Sequence, residues 1–313
     1  MRPPPHTAPE RLAWSRPDSP YHEGEQTIQA RVGVRERMES VGRRVIRDHL
    51  TQEQATFFAE RPFVVLAWRD APGHPCARIL RGPPGFVAAP DPRLLRIGST
   101  AVPPALSRLL APGADVALLG IDFATRRRNR VHGRVSGVVD DAVEIGVAQA
   151  FGNCPKYIRT REWDPGPVTR IEEHVAGSLD ALDRRQLESA ETFFIASGYG
   201  SAGHAPSRGV DISHRGGPPG FVQVADARTL IVPDFPGNHA FNTLGNLLLD
   251  PRCCLLFPDF ERGGGLRILA TAEIRWRDPE PPQLRGVPGE LRLEVREVVR
   301  ERELSASAGQ SGR

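Results

Sequence analysis

The sequence predicts a mainly β protein (α+β) built from two tandem small antiparallel barrels with short flanking helices. Three observations carry that expectation. First, one phrase occurs twice, as PPGFVAAPDPRLL from Pro83 and PPGFVQVADARTL from Pro218, 135 residues apart with eight of 13 positions identical. Second, three further landmarks repeat in the same order: ATFF and ETFF, ending at Phe58 and Phe194; LLGIDF and LLFPDF, from Leu118 and Leu255; RVHGRV and RILATA, from Arg130 and Arg267. Landmarks kept in order mean a duplicated unit, and a period of about 136 residues is that of a domain, not of a solenoid repeat. Third, each copy reads as a short helix followed by about six short strands with Gly/Pro turns, a barrel pattern. The chain has no strand–GxGxxG–helix unit and no P-loop, which disfavours nucleotide binding by those routes.

Length and composition agree. The chain has 313 residues, 39% apolar and 25% charged, enough for about two globular domains. A net charge of +3 argues for neither nucleic acid nor a membrane surface as partner. The chain lacks an apolar run long enough to span a bilayer and a signal-like segment, so the expected location is cytoplasmic. Cys76, Cys154, Cys253 and Cys254 lack CxxC spacing and read as small buried residues in a reducing compartment, with no metal site. Lys156 is the only lysine.

Residues 1–20 are proline-rich and read as a flexible arm. The first domain is expected over 21–160, opening with a partly helical segment whose HEGE start suits a helix N-terminus. Thr51 and Gln54 form a capping-box pattern for the next helix. PFVVLAW, ARILRG, the segment after PPGF, RLLRIGS and VALLGIDF follow as strands. RNRVHGRVSGVV alternates, with Gly133 placed for a bulge. AQAFGNCPKYIRTREW reads as a helix or loop, and 161–178 as a linker. The second domain is expected over 179–302, with Ser178 or Asp180 capping a helix through ETFF. Strands GVDISHR, GFVQV, TLIVPDF, CCLLFPDF and LRILATAEIRW come next, and LRLEVREVV closes the unit. Residues 303–313 read as a frayed tail.

The chemistry concentrates between Asp211 and Phe257. PDFPGN sets Asp234 and Asn238 around a Pro-Gly turn. NTLGNLLLDP reads as one short helix, with Asn242 or Thr243 at its start and Asp250-Pro251 at its stop. A helix start offers unpaired N–H groups, and Arg215 and Arg208 would add positive charge, so the parts suit a phosphate pocket. The same residues also fit plain helix capping with solvated arginines.

RGGPPGFVxxxDxRTLxxPDFPGN…NTLGNLL…P…LLF resembles the FMN-binding split-barrel family related to pyridoxamine 5′-phosphate oxidase. The resemblance is dense over 207–272, looser over 51–160, and does not cover the first twenty residues. It implies two split β-barrels of Greek-key-like connection and an FMN cofactor in the crevice between them. The implied cofactor-binding positions are Ser213, Arg215, Asn238, Asn242, Thr243 and Asn246, with Arg267 next to the flavin. Leu269-Ala270 stands where the family often has Asn-Gly, a departure at that edge of the pocket. A substrate-phosphate site like that of the true oxidases has no counterpart that can be placed. The implied function is an FMN-binding oxidoreductase whose partner is a small-molecule redox substrate or electron donor. Non-catalytic flavin binding or sensing, and a split barrel using deazaflavin or haem, stay open as alternatives. Split barrels of this family pair, so a tandem duplication implies an internal pseudo-dimer, with a homodimer also open. The first copy lacks the Asp-Phe-Pro-Gly-Asn turn and the Asn-Thr pair, so one phosphate pocket is expected, in the second half.

Two motifs remain. TRRRNR, Thr125 to Arg130, reads as a solvated hairpin or as a cluster, Arg128 included, that closes over the flavin; nucleic acid is disfavoured. FGNCPKYI offers Lys156 and Tyr157 as catalytic candidates, donors to substrate or flavin ring, or is a structural corner fixed by Pro155.

Overall fold

FVVLAWR and TFFIASGY hold too many consecutive apolar residues for strands with one wet face. The computed structural model describes residues 13–152, 154–163, 170–277 and 288–304, and in it both runs are central strands buried on two sides. The first sheet contains β1 (Phe63–Arg69), β2 (Pro75–Arg81), β3 (Val87–Asp91), β4 (Leu94–Gly98), β5 (Asp115–Asp122), β6 (Arg127–Val139) and β7 (Ala142–Gly152), in the order β2-β1-β5-β6-β7-β4-β3. After β8 (Arg170–Ala176), the second contains β9 (Thr192–Tyr199), β10 (Gly209–Gly216), β11 (Gln223–Asp226), β12 (Thr229–Pro233), β13 (Arg252–Pro258), β14 (Gly265–Trp276) and β15 (Pro288–Leu304). Its order is β10-β9-β13-β14-β15-β12-β11, the first order repeated strand for strand, with β8 added beside β15. All pairings are antiparallel, and the two units are tandem split barrels.

Pairing registers make the equivalence residue-specific. Reading across the first sheet, Arg78, Leu66, Leu118, Val131 and Ala150 face one another in turn. Ser213, Ile195, Leu255, Ile268 and Val298 do so in the second. The repeated phrase is one turn built twice. Phe86 N donates to Pro83 O at 2.9 Å and Phe221 N to Pro218 O at 3.1 Å. Gly85 and Gly220 take φ of +93° and +83°, which explains the glycine in both copies. Gly133 lies at a register shift in β6, the expected bulge.

Strand alternation sorts the side chains into three cores. Val64 and Leu66 fill the first barrel, and Phe193 and Ile195 the second. Phe63, Val65, Ala67, Phe194 and Ala196 point the other way into a shared core between the barrels. Contacts across it come in matched pairs: β10 meets β5 as β2 meets β13, and β10 meets β6 as β2 meets β14. The packing therefore has an approximate two-fold relation and two crevices.

Helices α1 (Glu23–Arg31), α2 (Arg35–Val45), α3 (Gln52–Ala59), α4 (Pro104–Ser107), α5 (Ala181–Ser189) and α6 (Asn242–Leu249) flank the sheets. Thr51 with Gln54 and Asp180 with Asp183 form capping boxes on α3 and α5. Ala181–Ser189 is shorter than expected, because Thr192 and the two phenylalanines after it belong to β9. ETFF is thus a strand where ATFF is a helix, and that landmark is not a structural repeat.

Three further expectations need correction. Trp14 is fully buried with Tyr21, Met38 and Phe151, so 13–20 is packed chain, not a free arm; burial of one large ring and its bond to Asp18 O anchor it. Residues 170–176, inside the expected linker, form an edge strand on β15, whose carbonyls and N–H groups they satisfy. AQAFG is the end of β7, not helix or loop. Residues 1–12 of the expected arm, 164–169 of the expected linker and 305–313 of the expected tail lie outside the described residues.

Candidate functional site

In one crevice, where β6 of the first barrel meets β10 of the second, lies a cavity of about 120 Å³. That is below the roughly 300 Å³ typical of a pocket enclosing a whole small ligand, so its size suits one end of a ligand and not the whole of one. Strand β10 places Asp211, Ser213 and Arg215 two residues apart, on one face. Helix α6 brings its N-terminus to the same place. Phe241, at its N-cap, is left-handed (φ +62°) and gives no side-chain cap, so the first N–H groups have no capping side chain. His239 and Tyr157, also on the lining, have φ of +62° and +65°. Three non-glycine residues in that region mark a strained rim, the kind functional sites retain.

The electrostatics centre on three arginines. Arg130 is buried and pairs with Asp211 Oδ1 at 2.6 Å, while its Nη2 donates to Ser213 Oγ at 2.9 Å. His132 Nε2 meets the same carboxylate at 2.9 Å. Burial opposes ionisation of Asp211, but the Arg130 charge with His132 and Ser213 outweighs it and holds the pKa at about 2. Arg215 pairs with Asp234 at 2.8 Å. Arg128 has no carboxylate partner among the described residues. Its Nη2 donates to Cys154 O at 2.7 Å and its Nη1 lies 3.1 Å from His214 Nδ1. Burial, then repulsion from Arg130 and Arg215, lower its pKa from 12.5 to about 9. Lys156 also lines the cavity, likewise without a carboxylate partner among the described residues. Two unbalanced positive charges match a phosphate monoester dianion. The Nε atoms of Arg128 and Arg130 and Nε2 of His214 are buried with no hydrogen-bond partner. These orphaned groups, the uncapped helix start and the charge balance fit the phosphate end of a phosphorylated ligand such as FMN.

The sequence-predicted residues divide. Arg128, Lys156, Tyr157, Ser213, Arg215, Asn238, Asn242 and Thr243 are brought together on the lining. Asn246 is one turn further along α6 and faces inward, donating to Ser197 Oγ at 3.2 Å. Arg267 is outside the cavity, held by Glu301 and Glu173, each at 3.2 Å. Arg208 is drawn off to Glu23 at 2.9 Å. Tyr157 stacks on Phe235 at 5.3 Å and donates its hydroxyl to Pro236 O at 3.1 Å, which joins the FGNCPKYI strap to the PDFPGN turn. A Cβ on Gly216 would meet Tyr157 O at 2.1 Å, so the strap needs a glycine beneath it.

Sequence reasoning missed Asp211, His214 and Glu25. The first had a readable signal, a polar residue at every second position of an otherwise apolar strand. Glu25 did not, since HEGE reads as an exposed helix start. Glycines 24 and 245 let α1 cross α6 closely: a Cβ on Gly24 would meet Gly245 O at 2.2 Å. That contact puts Glu25 under Asn242, whose Nδ2 donates to its carboxyl, while His22 N donates to Glu25 Oε2 at 2.8 Å.

Burial drives the Glu25 pKa well up and lowers that of His22 to about 4. The two act oppositely on stability. Between pH 4 and 6.5 the unfolded chain protonates His22 and the folded chain does not, so this term raises stability as pH rises. Glu25 keeps a proton in the fold that the unfolded chain loses above its usual pKa near 4.3, so its term falls as pH rises. The Glu25→Gln variant should therefore gain stability across pH 4–6.5 by up to the order of 3 kcal/mol, against a flatter wild-type profile. Urea unfolding at a series of pH values checks this, and parallel profiles would count against it.

No family model matches the sequence, and no curated protein matches it. Among solved structures, a candidate pyridoxamine 5′-phosphate oxidase from Lactobacillus delbrueckii is 24% identical, with a TM-score of 0.27, over 33% of this chain and 94% of its own. A second such candidate, from Corynebacterium glutamicum, is 16% identical with a TM-score of 0.28, over 45% of this chain and 100% of its own. An FMN-binding protein from Syntrophomonas wolfei is 16% identical with a TM-score of 0.24, over 40% and 90%. At these scores the likeness bears on neither cofactor nor reaction. No helix among the described residues is long and apolar enough to cross a membrane.

Proposed function

We propose that the protein is an FMN-binding flavoprotein of oxidoreductase type. In this reading a tandem duplication built an internal pseudo-dimer, and the flavin lies in the crevice beside β6 and β10. The observation that supports it most is Arg128, a half-buried cation without a carboxylate partner among the described residues, facing an uncapped helix start across the cavity. Arg128, Arg215, Thr243 and the first N–H groups of α6 hold the phosphate. Ser213 keeps Arg130 in place from beneath. Bound flavin supplies electron or hydride transfer. Lys156, at the exposed mouth, is the cation a small redox substrate meets first, while Tyr157, with its proton committed to Pro236 O, orients the strap. The resemblance of RGGPPGFV and NTLGNLL to FMN-binding split barrels supports the same assignment, and the cytoplasmic location proposed from the sequence suits it. The test is the absorption spectrum and the mass of the released ligand after purification with FMN present. A flavin spectrum and the mass of FMN are expected; haem, deazaflavin or no chromophore would remove the reading.

A further inference from the structure

The approximate two-fold relation generates a second crevice, between β14 and β2, and registers say what stands in it. Arg267 on β14 is equivalent to Arg130 on β6, since their neighbours Ile268 and Val131 occupy the same place in the two ladders. Arg78 on β2 is equivalent to Ser213 on β10. Cys76 stands where β10 has Asp211, so the second crevice lacks the carboxylate that balances Arg130. It has two half-buried arginines, Arg267 in the place of Arg130 and Arg78 in that of Ser213, with side chains 13% and 12% exposed, while Gly265 and Leu80 stand where the first crevice has Arg128 and Arg215.

Other carboxylates fill the place. Glu301 Oε1 lies 3.1 Å from Arg78 Nη2 and 3.2 Å from Arg267 Nε. Glu173 Oε1 meets the same two guanidinium groups, Arg267 at 3.2 Å and Arg78 closer still. Glu303 meets Arg81 at 2.5 Å at the next position outward. Each of the first two carboxylates bridges two arginines, as an oxyanion would. They arrive by a departure from the repeat. In the first barrel β7 ends at Gly152 and the chain swings away as the strap carrying Lys156 and Tyr157. In the second, the equivalent strand β15 continues through Glu301 and Glu303, and β8 pairs with that extension to deliver Glu173.

We infer that Arg78 and Arg267 form an anion site in the second crevice, permanently occupied by the protein's own Glu173 and Glu301, which balance these two arginines as Asp211 balances Arg130 in the first. Strand β8 is the plug. It keeps outside anions from this arginine pair and leaves the Arg128 crevice as the one open to a ligand. The inference rests on the reading of that first crevice as an anion site, and inorganic phosphate tests it apart from the flavin. Isothermal titration of the full chain with inorganic phosphate should show one more bound anion per chain in Glu173→Gln/Glu301→Gln than in wild type. Adding Arg267→Gln to that pair should remove the gain. A folded double variant with wild-type phosphate stoichiometry would overturn the inference. Should the double variant fail to fold, Glu173→Gln alone carries the test, because Glu173 is 38% exposed. Phosphate should then raise its melting temperature more than that of Glu173→Gln/Arg267→Gln, and equal shifts would overturn the inference. Failure of wild type to bind FMN with the phosphate gain intact would sink the flavin reading and leave the plug standing.

Discussion

Replacing Arg128 with leucine should weaken FMN binding about 10- to 150-fold, the worth of one charge-assisted bond of roughly 1.5–3 kcal/mol. Riboflavin, which lacks the phosphate, should lose far less. The variant should also be no less stable without ligand than wild type. Arg128 lies half-buried beside two other arginines, and a pKa lowered to about 9 expresses the cost of keeping it charged there. Removing such a group relieves repulsion, whereas removing a structural arginine would cost stability. Reduced affinity with undiminished stability is thus the signature of a group kept for a ligand. FMN and riboflavin titrations, with urea unfolding of the ligand-free protein, provide all three readings. Equal loss for both ligands, or a marked loss of stability, would mean that Arg128 holds the strap through Cys154 O and His214 and does not receive phosphate.

Changing Asp211 to asparagine should cost about 3–5 kcal/mol, because Arg130 would stay buried without a counter-charge. The pair spans the barrels, with Arg130 on β6 and Asp211 on β10, so the damage should fall on their docking. Replacing both partners with apolar residues, as in Arg130→Met/Asp211→Leu, should recover most of the loss. The pH dependence follows from the depressed pKa. The stabilisation from Asp211 is complete above the unfolded value near 3.9 and disappears as pH falls toward 2. Urea unfolding of the single and double variants at neutral pH measures the coupling. A single-variant loss below about 1 kcal/mol would show the pair to be as weak as an exposed one.

Much of this arrangement is legible in local chemistry. PPGF announces its turn because only glycine suits the positive φ at Gly85 and Gly220, and Thr51 with Gln54 announces a helix start. The residues lining the candidate pocket are legible as a group, since Asn242 and Thr243 begin a helix directly after a Pro-Gly turn. What local chemistry does not encode is which partner a charge finds across the fold. Arg267 looks like a flavin contact by the family resemblance, yet Glu173 and Glu301 reach it from elements 94 and 34 residues away. Arg128 reads equally as part of a solvated basic hairpin or as a residue that closes over a ligand, and only the fold shows β6 carrying it under the second barrel. Glu25 looks like an exposed helix-start acid until Gly24 and Gly245 let two helices touch. Trp14 shows the same limit: a proline-rich segment reads as free chain, and one buried ring ties it down.

An anion pocket at the start of α6 that takes the phosphate of a flavin is the central proposal. Fluorescence titration of the full chain with FMN and riboflavin, side by side, tests that most directly. The prediction is saturation at one FMN per chain, with riboflavin bound at least about tenfold more weakly because it leaves Arg128 without its partner. Equal affinity for the two ligands, two equivalent sites per chain, or no binding of FMN would contradict it.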